Sequence, residues 1–179
     1  MACSSTVYKA HLNISDLDRG YYADHPLTIA CHPSENEQRM MTRVLAFILH
    51  ADPALQFGKG LSSQEEPALW IKNDNGEIEL WIELGQPDEK RIRHACQRAQ
   101  QVVIYSYQEK SAKVWWPQIK GKVSRFKNLH VKQLDQAMAD SLTSLAKRGM
   151  KLQCTLQDGE LWINDEHQQV HITPRNLSD

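Results

Sequence analysis

The sequence predicts an α/β protein in which helices alternate with strands around one sheet, with a β-rich addition at each end. Residues 6–14 and 150–157 alternate apolar and polar side chains, the pattern of half-buried strands at both ends of the chain. Between them, apolar stripes at helical spacing separate further strands. The length of 179 residues fits a single domain over 1–179 with a substantial core.

The N-terminal third is predicted to contain two extended segments and a long helix. The turn-like residues 15–20 separate the first strand from residues 21–32, where Pro26 favours an edge position. Pro33-Ser34 with Glu37 three residues after the serine forms a capping box. An apolar stripe at helical spacing follows, formed by Met41, Val44, Leu45, Ile48 and Leu49, and Asp52-Pro53 ends the helix.

Residues 61–89 hold eight carboxylates and a single basic residue, Lys72, which indicates either a cation site or a solvated hairpin. Asn75-Gly76 tolerates the positive φ values of a type I′ turn, so residues 68–73 and 77–85 are predicted to pair as a hairpin. In this register one face of the hairpin is core and carries Leu69, Ile71, Leu80 and Ile82. The other face is polar and pairs Lys72 with Glu79, Trp70 with Trp81 and Ala68 with Glu83.

Glu83 is the best placed of these acids for binding a cation. Glu79 lies about 13 Å away along the same strand, too far to share one metal ion with it. A four-residue turn would place Glu66 opposite Glu83 instead of Ala68, at roughly 5 Å, and two carboxylates at that separation could hold a divalent cation. An ordinary cross-strand ion pair between Lys72 and Glu79 on a solvated face explains the same pattern without a metal.

The remainder of the chain is predicted to alternate helices and strands. Pro87-Asp88 opens a helix whose buried side is Ile92, Ala95, Cys96 and Ala99, and the apolar residues 101–107 form an interior strand. A short helix then carries Trp115 and Trp116. The last predicted elements are a strand at 128–134, a helix at 135–147, and strands at 150–157, 160–164 and 169–173.

Composition narrows the classes of function. The formal net charge of −1 selects no partner by a global field. The four cysteines, Cys3, Cys31, Cys96 and Cys154, form no C-x-x-C pair, which argues against a zinc site or a disulfide framework. No apolar run is long enough to span a membrane and the N-terminus has no signal-peptide pattern, so we expect a cytoplasmic protein with no membrane partner.

The basic residues are concentrated in one stretch, from Lys110 to Leu134, which holds seven of the 21 Lys and Arg residues and no Asp or Glu. Interleaved aromatic side chains could stack on bases, although adjacent tryptophans on a helix point about 100° apart and at least one is expected in the core. The residues predicted to neutralise DNA or RNA phosphates are Lys113, Lys120, Lys122, Arg125 and Lys127.

Several motifs resemble the YaeQ family of small bacterial proteins: HPSE at 32–35, EEPALW at 65–70 and above all IELWIELGQPDEKRI at 78–92. The resemblance extends over essentially the whole chain. It implies a variation of the PD-(D/E)xK restriction-endonuclease-like fold, a core of mixed β-sheet flanked by helices, here with extra N- and C-terminal strands. In that fold an acidic residue and a (D/E)-x-K motif bind Mg²⁺ and place a lysine beside the phosphate. Here Ala68 and Gly85 stand where an acid and the lysine are expected.

The resemblance implies a candidate site for Mg²⁺-dependent phosphodiester hydrolysis. Its catalytic candidates are Glu83, Lys90 and Gln86, with Lys90 replacing the missing lysine from a helix N-terminus that favours phosphate. Its metal candidates are Glu83, Glu66 and Glu35, and Glu35 has the alternative role of complementing a helix dipole. Two other functions fit the sequence: a non-catalytic nucleic-acid-binding or transcription-related module with a degenerate site, and a protein-interaction factor whose acidic hairpin is only solvated.

Overall fold

A computed structural model describes residues 4–178 of the chain, with the side chain of Ser62 left out. It confirms the mixed α/β class. The helices are α1 (Glu37–Leu49), α2 (Glu89–Arg98), α3 (Glu109–Val123) and α4 (Gln136–Thr143). The strands are β1 (Thr6–Asp16), β2 (Tyr21–Cys31), β3 (Leu55–Phe57), β4 (Leu69–Lys72), β5 (Ile78–Leu84), β6 (Ala99–Ser106), β7 (Leu129–Gln133), β8 (Gly149–Gln157), β9 (Glu160–Asn164), β10 (Gln169–Ile172) and β11 (Arg175–Asn176).

The strands form two sheets, not the one sheet that the sequence predicts. The chain divides into two compact units, one of residues 1–48 and 137–173 and the other of residues 49–136 and 174–179. Each unit contains one sheet. The expectation of a single domain over 1–179 stays a prediction, because two compact units are compatible with one domain or two.

The first unit contains a five-stranded sheet in the order β10-β9-β8-β1-β2. Its N-terminal and C-terminal strands meet because β1 and β8 pair in parallel, with Leu12 opposite Leu152 and Ile14 opposite Cys154. Strand β2, which contains Pro26, is at the edge as predicted. The extra strands at the two ends of the chain therefore combine into a sheet of their own.

Helix α1 also belongs to the first unit, apart from its last residue, Leu49. All its residues from Met40 to Ile48 are buried, as expected of a core helix rather than a surface helix. Its cap differs from the prediction. The Asn36 side chain accepts a hydrogen bond from the Arg39 backbone N–H at 2.8 Å, whereas Ser34 hydrogen bonds to His32. Asn36 therefore caps α1, and the predicted Ser34–Glu37 capping box is wrong.

The second unit contains a six-stranded sheet in the order β11-β7-β6-β5-β4-β3. Strands β5, β6 and β7 are parallel and are joined by α2 and α3, whereas β3, β4 and β11 are antiparallel to their neighbours. Strand β6 lies in the interior of the sheet, as its apolar sequence predicts. Two elements differ in length from their predictions: α3 extends over 15 residues despite Pro117 within it, and α4 ends at Thr143.

The predicted hairpin between β4 and β5 is present, with Trp70 opposite Trp81 and Ile71 opposite Leu80. Its turn is different. Gly76 has a φ of +81° but Asn75 does not have a positive φ, so the turn is not type I′. The Asn73 backbone N–H bonds to the Glu77 carbonyl, which closes a three-residue loop.

The extra loop residue shifts the hairpin ladder. The register changes between Ile71 and Lys72, and Lys72 lies opposite Ile78 rather than Glu79. The predicted cross-strand pair of Lys72 and Glu79 is therefore wrong. The Lys72 ammonium group instead lies 3.9 Å from the centre of the Trp70 ring.

The C-terminal part of the β5 face that was predicted to be polar is buried, whereas Glu79 on the same face is exposed. Trp81 has no exposed surface and Glu83 is 9% exposed, because helices α2 and α3 cover this side of the sheet. The residues of this core are Trp81, Ile92, Ala95, Ala99, Val102, Ile104, Ile119, Val123, Leu129 and Val131. Leu69 and Ile82, on the opposite face, are fully buried as predicted, whereas Ile71 and Leu80 on that face are only half-buried. The alternation therefore predicted the two faces of the hairpin, but not how deeply each residue is buried.

Because Trp81 is a core residue, Trp81→Ala is expected to lower the free energy of unfolding by about 3–5 kcal/mol. Urea denaturation measures this loss. The matched control is Trp70→Ala, on the neighbouring strand and only half-buried, for which we expect a clearly smaller loss. Equal losses for the two variants would contradict the burial of Trp81.

Candidate functional site

The candidate site is centred on Glu83, near the carboxyl end of β5. Its Oε1 atom accepts hydrogen bonds from the indole Nε1 of Trp81 at 2.7 Å and from the guanidinium Nε of Arg91 at 2.8 Å. The side chain of Glu83 is 12% exposed and that of Arg91 is 21% exposed. The carboxylate is thus largely removed from water, and a positive charge already neutralises it.

Arg91 reaches this position because of how α2 begins. Asp88 caps the helix, and its side chain accepts a hydrogen bond from the Arg91 backbone N–H at 2.8 Å. Side chains in the first turn of a helix point back towards its N-terminus. The guanidinium group of Arg91 therefore extends towards β5 and also donates to the backbone carbonyl groups of Gln64 and Glu66. One arginine ties the end of β5 to the segment that precedes β4.

Other acids of residues 61–89 are also paired within the chain. Glu65 accepts from Arg98 at 2.7 Å, and Glu89 forms ion pairs with Arg93 at 3.2 Å and with Arg125 at 3.3 Å. Helix α2, which immediately follows the acidic stretch, supplies Arg91, Arg93 and Arg98. Glu65, Glu83 and Glu89 therefore have arginines of the next helix as counter-charges. Asp74, Glu77 and Glu79 are exposed and have no ion-pair partner among the described residues.

The predicted metal ligands are not gathered into one cluster. No group of three His, Cys, Asp or Glu side chains in residues 4–178 is close enough to hold a metal ion. Mg²⁺ requires hard oxygen ligands in near-ideal octahedral geometry. The predicted metal ligands Glu83, Glu66 and Glu35 do not form such a group.

The two other predicted metal ligands also have basic partners. The carboxylate of Glu66 lies 4.0 Å from the ammonium group of Lys59, while its backbone carbonyl accepts from Arg91. Glu35 belongs to the first unit, where its side chain is 2% exposed and binds the guanidinium groups of Arg39 and Arg43. The role of Glu35 is therefore to hold two arginines of its own helix.

The backbone at Gly85 opposes a lysine at the position that the (D/E)-x-K motif would give it. Gly85 has a φ of +83°, a left-handed conformation that a residue with a side chain adopts only with strain. A Cβ atom built there would lie 3.8 Å from the Tyr107 ring, an ordinary contact, so the strain is in the backbone and not in a clash. The backbone conformation at position 85 therefore opposes a lysine there.

The other two catalytic candidates, Gln86 and Lys90, lie on either side of Asp88, the cap residue of α2. Gln86 donates from Nε2 to the hydroxyl of the buried Ser106 at 2.8 Å, which fixes its side chain against β6. Lys90 is exposed in the first turn of α2 and has no ion-pair partner among the described residues. Its neighbour Arg91 is the cation at Glu83. Arg91 lies four residues before the buried Ala95 and so belongs to the inward-facing side of α2, a signal that the sequence analysis missed.

The predicted nucleic-acid-binding residues divide into two groups. Lys113 pairs with Glu109 at 3.5 Å, and Arg125 pairs with Glu89. Lys120, Lys122 and Lys127 are exposed and have no ion-pair partner among the residues that the structure describes. The unneutralised charge therefore concentrates at the end of α3 and in the loop that follows it.

The aromatic side chains of this segment are half-buried. Trp115 packs on the core and donates from its indole nitrogen to the Pro87 carbonyl at 2.7 Å. Trp116 lies beside it with ring centres 5.7 Å apart, and Phe126 carries the guanidinium group of Arg125 over its ring at 4.7 Å. Both tryptophans contribute to the core, and each keeps part of its surface accessible.

The three cysteines of the described chain are poor nucleophiles because their thiols are protonated. Burial raises the pKa of the Cys96 thiol to about 11 and that of Cys154 to about 12, and it also raises the pKa of Cys31. These thiols are therefore protonated near neutral pH, where only the thiolate is a good nucleophile. Cys3 lies outside the described residues.

Comparison with known proteins identifies the family. The family model described as YaeQ protein matches residues 1–174. The YaeQ protein of Salmonella typhi is 46% identical over 172 residues, which cover 96% of this chain and 95% of that protein. The YaeQ protein of Escherichia coli strain K12 is 44% identical over the same length, with the same coverage. The chain belongs to the YaeQ family.

Solved structures of YaeQ proteins have the same fold. The crystal structure of the YaeQ protein from Xanthomonas axonopodis pv. citri superposes with a TM-score of 0.93 at 44% identity, covering 98% of this chain and 99% of that one. The YaeQ protein from Pseudomonas syringae superposes with a TM-score of 0.93 at 34% identity, covering 98% and 97% of the two chains. The two-sheet α/β architecture is therefore that of YaeQ proteins.

In this YaeQ-family chain, removing the charge of Arg91 is expected to destabilise the fold through Glu83. Loss of one partner of a buried ion pair costs about 3–5 kcal/mol, and we expect the lower end of that range for Arg91→Met because Arg91 remains 21% exposed. Urea denaturation of Arg91→Met, Glu83→Gln and the double variant measures the coupling.

The matched control is Lys90→Met, one residue earlier on the same helix turn. Because Lys90 is exposed and has no ion-pair partner in the described chain, the free energy of unfolding of Lys90→Met is expected to stay within about 0.5 kcal/mol of the wild-type value. A coupling energy near zero between Arg91 and Glu83 would show that the pair is not a structural unit.

Proposed function

We propose that this protein is a non-catalytic nucleic-acid-binding module whose core is a degenerate form of the restriction-endonuclease-like fold. One observation carries the proposal. The guanidinium group of Arg91 binds the Glu83 carboxylate at 2.8 Å, in the role that a metal ion has in an active nuclease of that fold. Because Arg91 is part of the chain, its guanidinium group stays beside the Glu83 carboxylate. Unlike a metal ion, a guanidinium group does not bind a water molecule and lower its pKa for hydrolysis.

The arrangement of the second unit supports the nuclease-like ancestry in this proposal. The acidic stretch lies on an antiparallel hairpin of β4 and β5. Strand β5, which carries Glu83, pairs in parallel with β6 on its other side. Glu83 is therefore near the end of a central strand, where such sites are expected. Ala68 is buried, and Gly85 has a backbone conformation that opposes lysine. Both departures from the motif belong to the packed core, which favours loss of catalysis.

Nucleic-acid binding is supported by the charge distribution. The protein has a formal net charge of −1, yet Lys120, Lys122 and Lys127 lie within eight residues with no acid between them. Their ammonium groups have no internal carboxylate to neutralise in the described chain. Exposed lysines of this kind bind phosphates by releasing condensed counterions, whether the polymer is DNA or RNA. Binding of a transcription-related protein through the same lysines is the alternative that the experiments below distinguish.

A cytoplasmic location is part of the same proposal. Cys31, Cys96 and Cys154 are free thiols, as expected in a reducing compartment that also contains nucleic acids. Within residues 4–178 no helix is long and apolar enough to cross a membrane.

Replacing Lys120, Lys122 and Lys127 together by Ala is expected to weaken nucleic-acid binding and to flatten its dependence on salt. Each lost phosphate contact removes about 0.9 from the slope of log K against log salt on duplex DNA, so the slope is expected to fall by up to about 2.7. Fluorescence anisotropy of a labelled duplex over a series of salt concentrations measures both quantities.

The matched control removes three exposed lysines that lie elsewhere, Lys9, Lys90 and Lys151. It changes the net charge by the same amount and should leave the slope close to that of wild type. Equal effects of the two triple variants would mean that binding follows net charge alone. An unchanged slope in the first variant would contradict the proposed role of its lysines.

For the candidate site we expect no dependence on Mg²⁺. Isothermal titration with Mg²⁺ should give no binding heat, and Glu83→Gln should leave the affinity for nucleic acid unchanged, because Glu83 is occupied by Arg91 and Trp81. Cleavage of DNA or RNA that requires Mg²⁺ and is abolished by Glu83→Gln in a folded variant would replace this proposal with a nuclease activity.

A further inference from the structure

Trp116 forms a ridge between two pockets of the second unit. One pocket, of about 280 Å³, lies between Trp116 and Phe126 and is also lined by Lys120 and Lys127. The other, of about 220 Å³, is lined by Trp116 together with Lys113 and Arg175. Each side of the tryptophan therefore has an adjoining hollow with two basic side chains at its walls.

The first pocket has the chemistry of a site for one nucleotide. Its walls combine two aromatic side chains with two lysines and two serines, Ser124 and Ser178, and none of its lining residues is acidic. Its volume of about 280 Å³ lies just below the roughly 300–1,000 Å³ of pockets for drug-sized ligands. A flat base between aromatic groups, with its phosphate near ammonium groups, matches this combination of size, shape and charge.

The second pocket differs in two respects. It contains an acid, Glu109, which already pairs with Lys113 at 3.5 Å and so weakens its attraction for phosphate. It also contains Gln133, which is 3% exposed and whose Oε1 atom is buried without a hydrogen-bond partner. A buried acceptor left unpaired carries an energetic cost that an N–H donor would remove. The ring N–H of thymine and the amino groups of other bases are donors of this kind.

These features favour a single strand over a duplex as the ligand. In a duplex the faces of the bases are stacked on each other and are not available to Trp116 or Phe126. Proteins that bind single strands combine a positively charged groove with aromatic side chains on which successive bases stack. The alternation of pocket, tryptophan and pocket along α3 has this form.

We propose that the ridge at Trp116 is a binding site for single-stranded nucleic acid. One base enters the pocket between Trp116 and Phe126 and stacks there, while Lys120 and Lys127 neutralise the phosphates on either side of it. The adjoining nucleotide passes over the ridge towards Gln133. The inference rests on the proposed nucleic-acid-binding function and adds to it a strand preference and a base-contacting residue.

The test compares two labelled strands of about 16 nucleotides, the upper range of single-strand site sizes: oligo(dT) and an abasic strand of the same length and charge. Fluorescence anisotropy at one salt concentration gives both dissociation constants. Wild type is expected to bind oligo(dT) about 5- to 150-fold more tightly than the abasic strand, the range that corresponds to stacking of one base. Trp116→Leu should abolish this difference without changing the affinity for the abasic strand.

Trp162→Leu is the matched control, because Trp162 is also half-buried but lies in the first unit, stacked on His171. It should preserve the oligo(dT) preference. Should Trp116→Leu fail to fold by circular dichroism, Trp116→Phe and Phe126→Leu replace it. The phenylalanine variant is expected to keep the preference, and Phe126→Leu should reduce it.

The outcomes separate the two proposals. Equal affinity of wild type for oligo(dT) and the abasic strand, or a preference that Trp116→Leu leaves intact, overturns the stacking site while lysine-dependent duplex binding still stands. No binding of either strand or of duplex DNA overturns both. Loss of the oligo(dT) preference in Trp162→Leu as well would also overturn the assignment to Trp116.

Discussion

The ion pair between Glu83 and Arg91 connects three parts of the second unit. Arg91 belongs to α2, Glu83 to β5, and the carbonyl groups of Gln64 and Glu66 that also accept from Arg91 lie before β4. Because these groups are largely buried, removing one charge would leave the other unsatisfied in a low-dielectric environment. The pair therefore links the first turn of α2 to the sheet. It also explains why Trp81, which donates to the same carboxylate oxygen, can be completely buried with its N–H satisfied.

The acidic stretch and the basic segment differ in how far their charges are paired within the fold. Glu65, Glu83 and Glu89 pair with arginines of α2, so part of the charge of residues 61–89 is used inside the fold. At the end of α3 no acid lies between Lys120 and Lys127, and these lysines project into solvent. A chain with almost no net charge thus has a surface segment whose lysines form no ion pair within the described residues. This difference in pairing, rather than the number of charges, distinguishes a structural cluster from a binding surface.

Sequence patterns predicted the local elements better than the contacts between distant ones. Period-2 alternation located the β4–β5 hairpin and assigned Trp70 opposite Trp81, because alternation and a nearby turn determine register. It did not predict burial, because the helices that cover Trp81 come later in the chain. The parallel pairing of β1 with β8 joins residues more than a hundred positions apart, so the division into two sheets has no local signal. The hairpin register and the family resemblance both led to Glu83, whereas Arg91 was indicated only by its position on the buried side of α2.

A single substitution would not create the metal site of a (D/E)-x-K motif in this chain. A lysine at position 85 would have to adopt a φ of +83°, which favours glycine. An acid at position 68 would be buried, because Ala68 is only 2% exposed, and it would need a counter-charge of its own. Even with both changes Arg91 would still bind Glu83, and its removal would destabilise the packing of α2. Positions 68, 85 and 91 each present a separate obstacle, so stability opposes introducing the residues of that motif one at a time.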